Sequence, residues 1–261
     1  MVFEVPSNHD EFTLLVKVVT PQPEKIRLIV KDCSLRDTVF TDRYKTVNGE
    51  ASFFVRLPVS GGKMFVIIYN ERIGNLDKGQ DATFEVKEIK RLPLEKKMDV
   101  IDFNEKGLRS FVKFCTRFCF NAGQLTSGVY KSSDGKYTIE YLPIIVYPNG
   151  KESSTPARIG VESGIIQVSQ AKFRSMTVPM RMAILLHEYS HFYVNDKMHD
   201  ETEADLNGLL IYLGLGYPRI EAHQSFLTTF VNVPSQQNKE RYDKIKKFID
   251  DFEKNNYIVY E

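Results

Sequence analysis

Through the first ninety or so positions, apolar and β-branched residues come in short runs split by turn signals. Residues 12–19, 26–30 and 65–69 read as strands, as does the set Phe84, Val86 and Ile89. Pro21 and Pro23 punctuate the first two runs. Asn48-Gly49, set between β-rich residues 44–47 and 52–55, is a two-residue hairpin signal, and Gly61-Gly62 is another turn. Strands this short at this spacing predict a small β-sandwich over residues 1–95. That stretch gathers no chemistry-bearing side chains, so it reads as a packing or docking module.

Residues 91–103 read as a connector. Beyond it the period changes. Leu108, Phe111, Val112, Cys115, Phe118 and Cys119 recur at steps of three and four, the buried stripe of an amphipathic helix with Asn104 as its cap. Strands return after Gly123. Asp134-Gly135 is a turn, Tyr137, Ile139 and Tyr141 alternate, and Ile144-Ile145-Val146 continues to the turn at Pro148-Asn149-Gly150. Residues 164–169 form a further strand, and from Thr177 to about Phe252 the chain is almost wholly helical. Strands followed by helices over residues 96–261 predict an α+β domain. The last helix, from about Gln236, puts Tyr242, Ile245, Phe248, Ile249 and Phe252 on one face and Lys239, Glu240, Asp243, Lys246, Lys247 and Asp250 on the other. Residues 257–260 read as a terminal strand or tail.

Composition narrows the function classes. Lys and Arg number 35 against 34 for Asp and Glu, so global charge gives no drive toward nucleic acid. The longest nearly apolar run, residues 208–217, is too short to span a bilayer, and the first residues lack the pattern of a signal peptide. Three cysteines without a CxxC read as buried, reduced thiols. A cytoplasmic protein is the expectation.

The chemistry concentrates in residues 182–195, which contain His187-Glu188-Tyr189-Ser190-His191, an HExxH motif. Thr177 caps this helix, with Pro179 in its first turn. Histidines one turn apart leave the same face and can grip one Zn²⁺ at roughly 2.0–2.1 Å. Glu188, turned about 100° from His187, flanks the ion as the base for its water. A third ligand has to come from His199, Asp200, Glu201, Glu203 or Asp205. On a second helix starting near Asp200, Glu201, Ala204, Asp205 and Gly208 share one stripe. Glu201 is the favoured ligand, with Asp205 and His199 as the alternatives. Small Ala204 and Gly208 let the helices lie close, Asp205 suits the free N–H of a ligand histidine, and Glu203 points to solvent. The donor for a tetrahedral oxyanion stays open among His223, Tyr193 and His199.

The HExxH helix followed by an acidic ligand resembles the gluzincin class of zinc metallopeptidases. Glu201-Thr-Glu203-Ala204-Asp205-Leu-Asn-Gly208-Leu209, then Gly216-Tyr217-Pro218, is similar to the ExEADxxGL…GY segment of its CAAX-prenyl-protease type. The resemblance covers roughly residues 177–230. It implies that Glu201 ligates zinc, that Asp205 supports the site, that residues 96–261 form a zincin-like domain acting on a peptide or protein substrate, and that the strand at 164–169 is the sheet edge aligning that substrate. This chain departs from the family in having only nine residues between His191 and Glu201 and no membrane helices. Zincin-like domains also occur in virion proteins of tailed bacteriophages, including ring components at the portal vertex of crAss-like phages. The β module joined to a small zincin-like domain resembles that arrangement. It implies the alternative of a homo-oligomeric ring or assembly protein located in the virion.

Overall fold

The computed structural model describes residues 1–71, 83–101, 106–232 and 234–256. The expected cap Asn104 and the tail at 257–260 lie outside the described residues. The fold is mixed α/β, with six α-helices and two sheets among the described residues. It divides into two compact units, Met1–Leu94 and Glu95–Glu261. No helix among the described residues is long and apolar enough to cross a membrane.

The first unit is built from β1 (Val2–Pro6), β2 (Phe12–Asp32), β3 (Val39–Leu57), β4 (Lys63–Asn70) and β5 (Glu85–Leu92). A sandwich of separate sheets is not what these strands make: they form one antiparallel hydrogen-bonded sheet. β3 flanks β2 along its length, while the other side of β2 pairs first with β5 and then with β4, which carries β1. The prolines do not end a strand, and Asn48-Gly49 is not a hairpin. Residues 21–23 lie opposite residue 48 alone, between the pairs Thr20↔Gly49 and Glu24↔Val47. The two local signals are used together at one bulge, where Gly49 takes φ +79° and exposed prolines need no ladder partner. Leu14, Val16 and Val18 on one side of the bulge and Ile26, Leu28 and Val30 on the other are all fully buried.

The second unit opens with a 3-10 turn, Met98–Val100, and helix α1 (Lys106–Asn121). Every member of α1's expected stripe is buried. Strands β6 (Gly128–Lys131), β7 (Thr138–Leu142), β8 (Ala157–Ile159) and β9 (Ile166–Ser169) form a mixed sheet in the order β6-β7-β9-β8. Residues 144–146 do not extend β7 and contribute only a bridge from Val146 to Glu152. The strand at 164–169 is not the sheet edge. β9 is interior, parallel to β7 and antiparallel to β8, so the strand bordering the site is β8. Three residues, Ala157-Arg158-Ile159, are too few to carry a readable period.

Four helices complete the unit after the short α2 (Gln170–Arg174): α3 (Val178–Tyr193), α4 (Glu201–Gly214), α5 (Arg219–Asn232) and α6 (Gln236–Asn256). α3 is the hub, packing on α1, α4, α5 and β8. Its cap is as expected: Thr177 Oγ1 accepts from Met180 N at 3.3 Å. Along α3 the residues from Val178 to Leu186 are all buried. They include Arg181, whose Nε and Nη1 donate to the carbonyls of Phe173 and Cys119 at 2.8 Å each. A buried guanidinium held this way is compensated by hydrogen bonds and ties α3 to α1 and α2.

Candidate metal centre

α3 ends, the chain turns through residues 194–200, and α4 comes back along it. Asp200 caps α4 by accepting from Glu203 N at 3.0 Å. The helices approach closely because Gly208 has no side chain: a Cβ there would lie 2.9 Å from His187 N and 3.0 Å from His187 Cα. This contact holds the middle of α4 against His187, and Glu201 in the first turn of α4 reaches both histidines.

The ligating atoms converge. His187 Nε2 lies 3.1 Å from His191 Nε2 and 3.6 Å from Glu201 Oε2, and Glu201 Oε1 lies 3.6 Å from His191 Nε2. Ligands about 2.0–2.1 Å from a tetrahedral ion stand about 3.4 Å apart, a separation close to that between the two Nε2 atoms and between each of them and one Glu201 oxygen. His187, His191 and Glu201 form a group of the kind that can hold a metal ion.

The outer nitrogens fix which face each ring presents. His191 Nδ1 is 2.6 Å from the carbonyl of Met198, an oxygen that can only accept. His187 Nδ1 lies 2.9 Å from Asp205 Oδ1, slightly off the line of an ideal N–H bond. Both imidazoles therefore face Nδ1 outward, to Met198 O and Asp205, and turn Nε2 toward each other and toward the Glu201 carboxylate. Such a cluster of acceptors is held by a shared proton between the two Nε2 atoms or by a metal ion in its place. Burial works against a charged His187, but Asp205, Glu188 and Glu201 outweigh it and bring this imidazole up to about 8. His191 is driven the other way, by burial and by the charge on His187.

Glu188 is buried and lines the same cleft. Burial pushes its carboxyl up to about 7, with the backbone of Ile159 in β8 acting against that rise. A carboxyl balanced near neutral pH is suited to take and return a proton. Asp205 is fully buried. Burial favours its neutral form, yet His187 and Arg241 together hold the carboxyl below its ordinary range.

Arg241, on α6, is the residue the sequence reading missed. Its Nε donates to Asp205 Oδ2 at 2.8 Å and its Nη2 to Asp205 Oδ1 at 3.0 Å. Nη2 also lies 2.9 Å from Glu201 Oε2, and the guanidinium faces the Phe230 ring at 4.9 Å. One signal pointed to it: Arg241 sits four residues before Ile245, at the head of the buried stripe Ile245, Ile249 and Phe252. A cation in an apolar stripe has an acid to meet.

Glu203 is not simply solvated: it accepts from Asp196 N at 3.1 Å and Lys197 N at 3.4 Å, holding the turn that presents Met198 O. His199 is exposed on the cleft wall. His223 lies outside that wall, half-buried on α5 with its ring 6.2 Å from Tyr242. Tyr193 also lies outside it, stacked on Tyr189 at 4.8 Å. The cleft has a volume of about 500 Å³ and runs between β8 and the Phe226–Phe230 side of α5.

Comparisons with protein-family models, with curated proteins and with solved structures found no match for this chain.

Proposed function

We propose that the chain is a zinc-dependent endopeptidase and that its second unit is a zincin-type domain of the gluzincin kind. One observation carries this reading: two Nε2 lone pairs and a carboxylate, each oriented from behind, meet at the separations of a tetrahedral ion's ligands, beside a buried acid in an open cleft. His187, His191 and Glu201 would hold the metal. Zinc in that position supplies a Lewis acid and a water whose pKa falls toward about 7.

The chain's own groups do the rest. Asp205 and Met198 O keep the ring nitrogens in one tautomer. Glu188 accepts a proton on its carboxylate and delivers it to the leaving amine; its held position against Ile159 N keeps it beside the sheet edge where an extended peptide would lie. The cleft suits a polypeptide better than a small metabolite because one wall is a strand edge. No feature among the described residues singles out ring assembly.

The test is elemental analysis joined to a turnover assay. Wild-type protein should carry about one zinc per chain and cleave an unfolded protein such as casein. His187→Ala should lose the metal, and Glu188→Gln should keep it but stop hydrolysis. Wild-type protein that takes up no zinc from excess, or Glu188→Gln with undiminished turnover, refutes the proposal.

A further inference from the structure

The outer face of the second sheet carries a polar row that runs to its open edge. Glu140 of β7 stands opposite Gln167 of β9, and Gln167 opposite Arg158 of β8. The row alternates donor and acceptor. Gln167 Nε2 donates to Glu140 Oε2 at 2.8 Å, and Arg158 Nε donates to Gln167 Oε1 at 2.8 Å. The guanidinium is further fixed by Nη2 on Val146 O at 3.3 Å and by the Tyr147 ring, 5.5 Å away. Nη1 donates to none of the described residues. The row thus ends in an oriented cation with donors to spare, on the last strand of the sheet.

That strand is also the wall of the metal cleft, and Arg158 lines both this cleft and the smaller hollow on the outer face. The register defines what the edge offers. Gly160 N bonds Ile165 O and Ser169 N bonds Pro156 O, so Arg158 turns its backbone groups inward to Gln167. Ala157 and Ile159 therefore turn theirs outward, the Ile159 N–H on the side that also faces Glu188. An antiparallel strand added at β8 would place one residue directly opposite Arg158 in the closely spaced, non-hydrogen-bonded pairing, its side chain on the outer face.

We infer that Arg158 is a specificity-determining residue and that the substrates are extended peptides with an acidic side chain at the position opposite it. A carboxylate there completes the row Glu140–Gln167–Arg158 with the acceptor its last member lacks. A lysine there would face the guanidinium and be rejected. This inference rests on the peptidase reading for turnover but not for binding.

The experiment uses full-length, zinc-supplemented protein and short peptides of one alanine- and valine-rich sequence, each with a single Glu, Gln or Lys moved through the positions. Cleavage and, separately, anisotropy of fluorescein-labelled peptides are read for wild type, Arg158→Gln, Arg158→Lys and Arg158→Glu, all checked for cooperative unfolding. At one position Glu should exceed Gln by about tenfold in wild type, the worth of a charged hydrogen bond. Arg158→Gln should flatten the preference, Arg158→Lys should keep part of it, and Arg158→Glu should turn it toward Lys. Acid-selective binding without cleavage supports the inference while refuting the peptidase reading. Cleavage with no Glu preference, or a preference unmoved in Arg158→Glu, overturns the inference while leaving the peptidase reading intact.

Discussion

Replacing Gly208 by alanine sets two effects of opposite sign against each other. Glycine inside α4 is unfavourable, and alanine there should stabilise the helix by about 1 kcal/mol. But the new Cβ would sit 2.9 Å from His187 N, 3.0 Å from His187 Cα and 3.1 Å from Leu186 C, all backbone atoms of α3. Backbone cannot rotate away, so the helices must part by about 0.6 Å to restore ordinary contact. Overpacking of this kind costs about 1–3 kcal/mol, so the net result is a loss on the order of 1 kcal/mol. The same parting stretches the 2.9 Å contact of Asp205 with His187 beyond hydrogen-bond range and lifts Glu201 from the histidines. Losing such an outer contact weakens metal affinity about tenfold or more. Urea unfolding reports the first effect and zinc competition against a chromogenic chelator the second. Gly208→Ala that is more stable than wild type with unchanged zinc affinity would refute the close-packing argument, since that is what helix propensity alone demands.

Arg241→Gln strips the fully buried Asp205 of its guanidinium partner; breaking a buried pair on one side should cost about 3 kcal/mol, read by urea unfolding, with a weaker hold on zinc. Burial raises the Cys115 and Cys119 thiols far from their reactive range, so a thiol reagent should label Cys33 alone in the folded protein and all three cysteines after denaturation. Labelling of more than one thiol under native conditions would contradict that. Hydrogen bonds from Ser132 and Ser110 pull the Asp134 carboxyl down to about 2. Its folded pKa is below the unfolded one, so its contribution to stability is present above the ordinary carboxylate value and disappears as pH falls through about 2. Carbon-13 NMR titration should place the midpoint there and move it upward in Ser132→Ala.

Much of the candidate centre was legible in the chain because its parts are local. Helical spacing alone puts His187 and His191 on one face, and the stripe of Glu201, Ala204, Asp205 and Gly208 follows from the same period one helix later. The structure brings His187, His191 and Glu201 together and seats Asp205 behind His187. The buried stripe of α1 was equally readable. In the first unit, the strands were readable but their junctions were not. Asn48-Gly49 has the chemistry of a hairpin, and positive φ at Gly49 serves a bulge just as well. Which one forms depends on the strand opposite, where residues 21–23 take up the mismatch.

What stayed hidden has one physical character: partners distant along the chain. Arg241 lies 36 residues from Asp205, and nothing in its neighbourhood distinguishes it from the lysines of α6 except its place in the apolar stripe. The edge strand β8 is three residues long, and it borders the cleft only because β9 pairs with β7 on its other side. Periodicity encodes which residues share a face, since that is geometry within one element. Which face meets which, and therefore which cation neutralises Asp205 and which strand walls the cleft, is settled by burial and pairing among elements that the chain order alone leaves free.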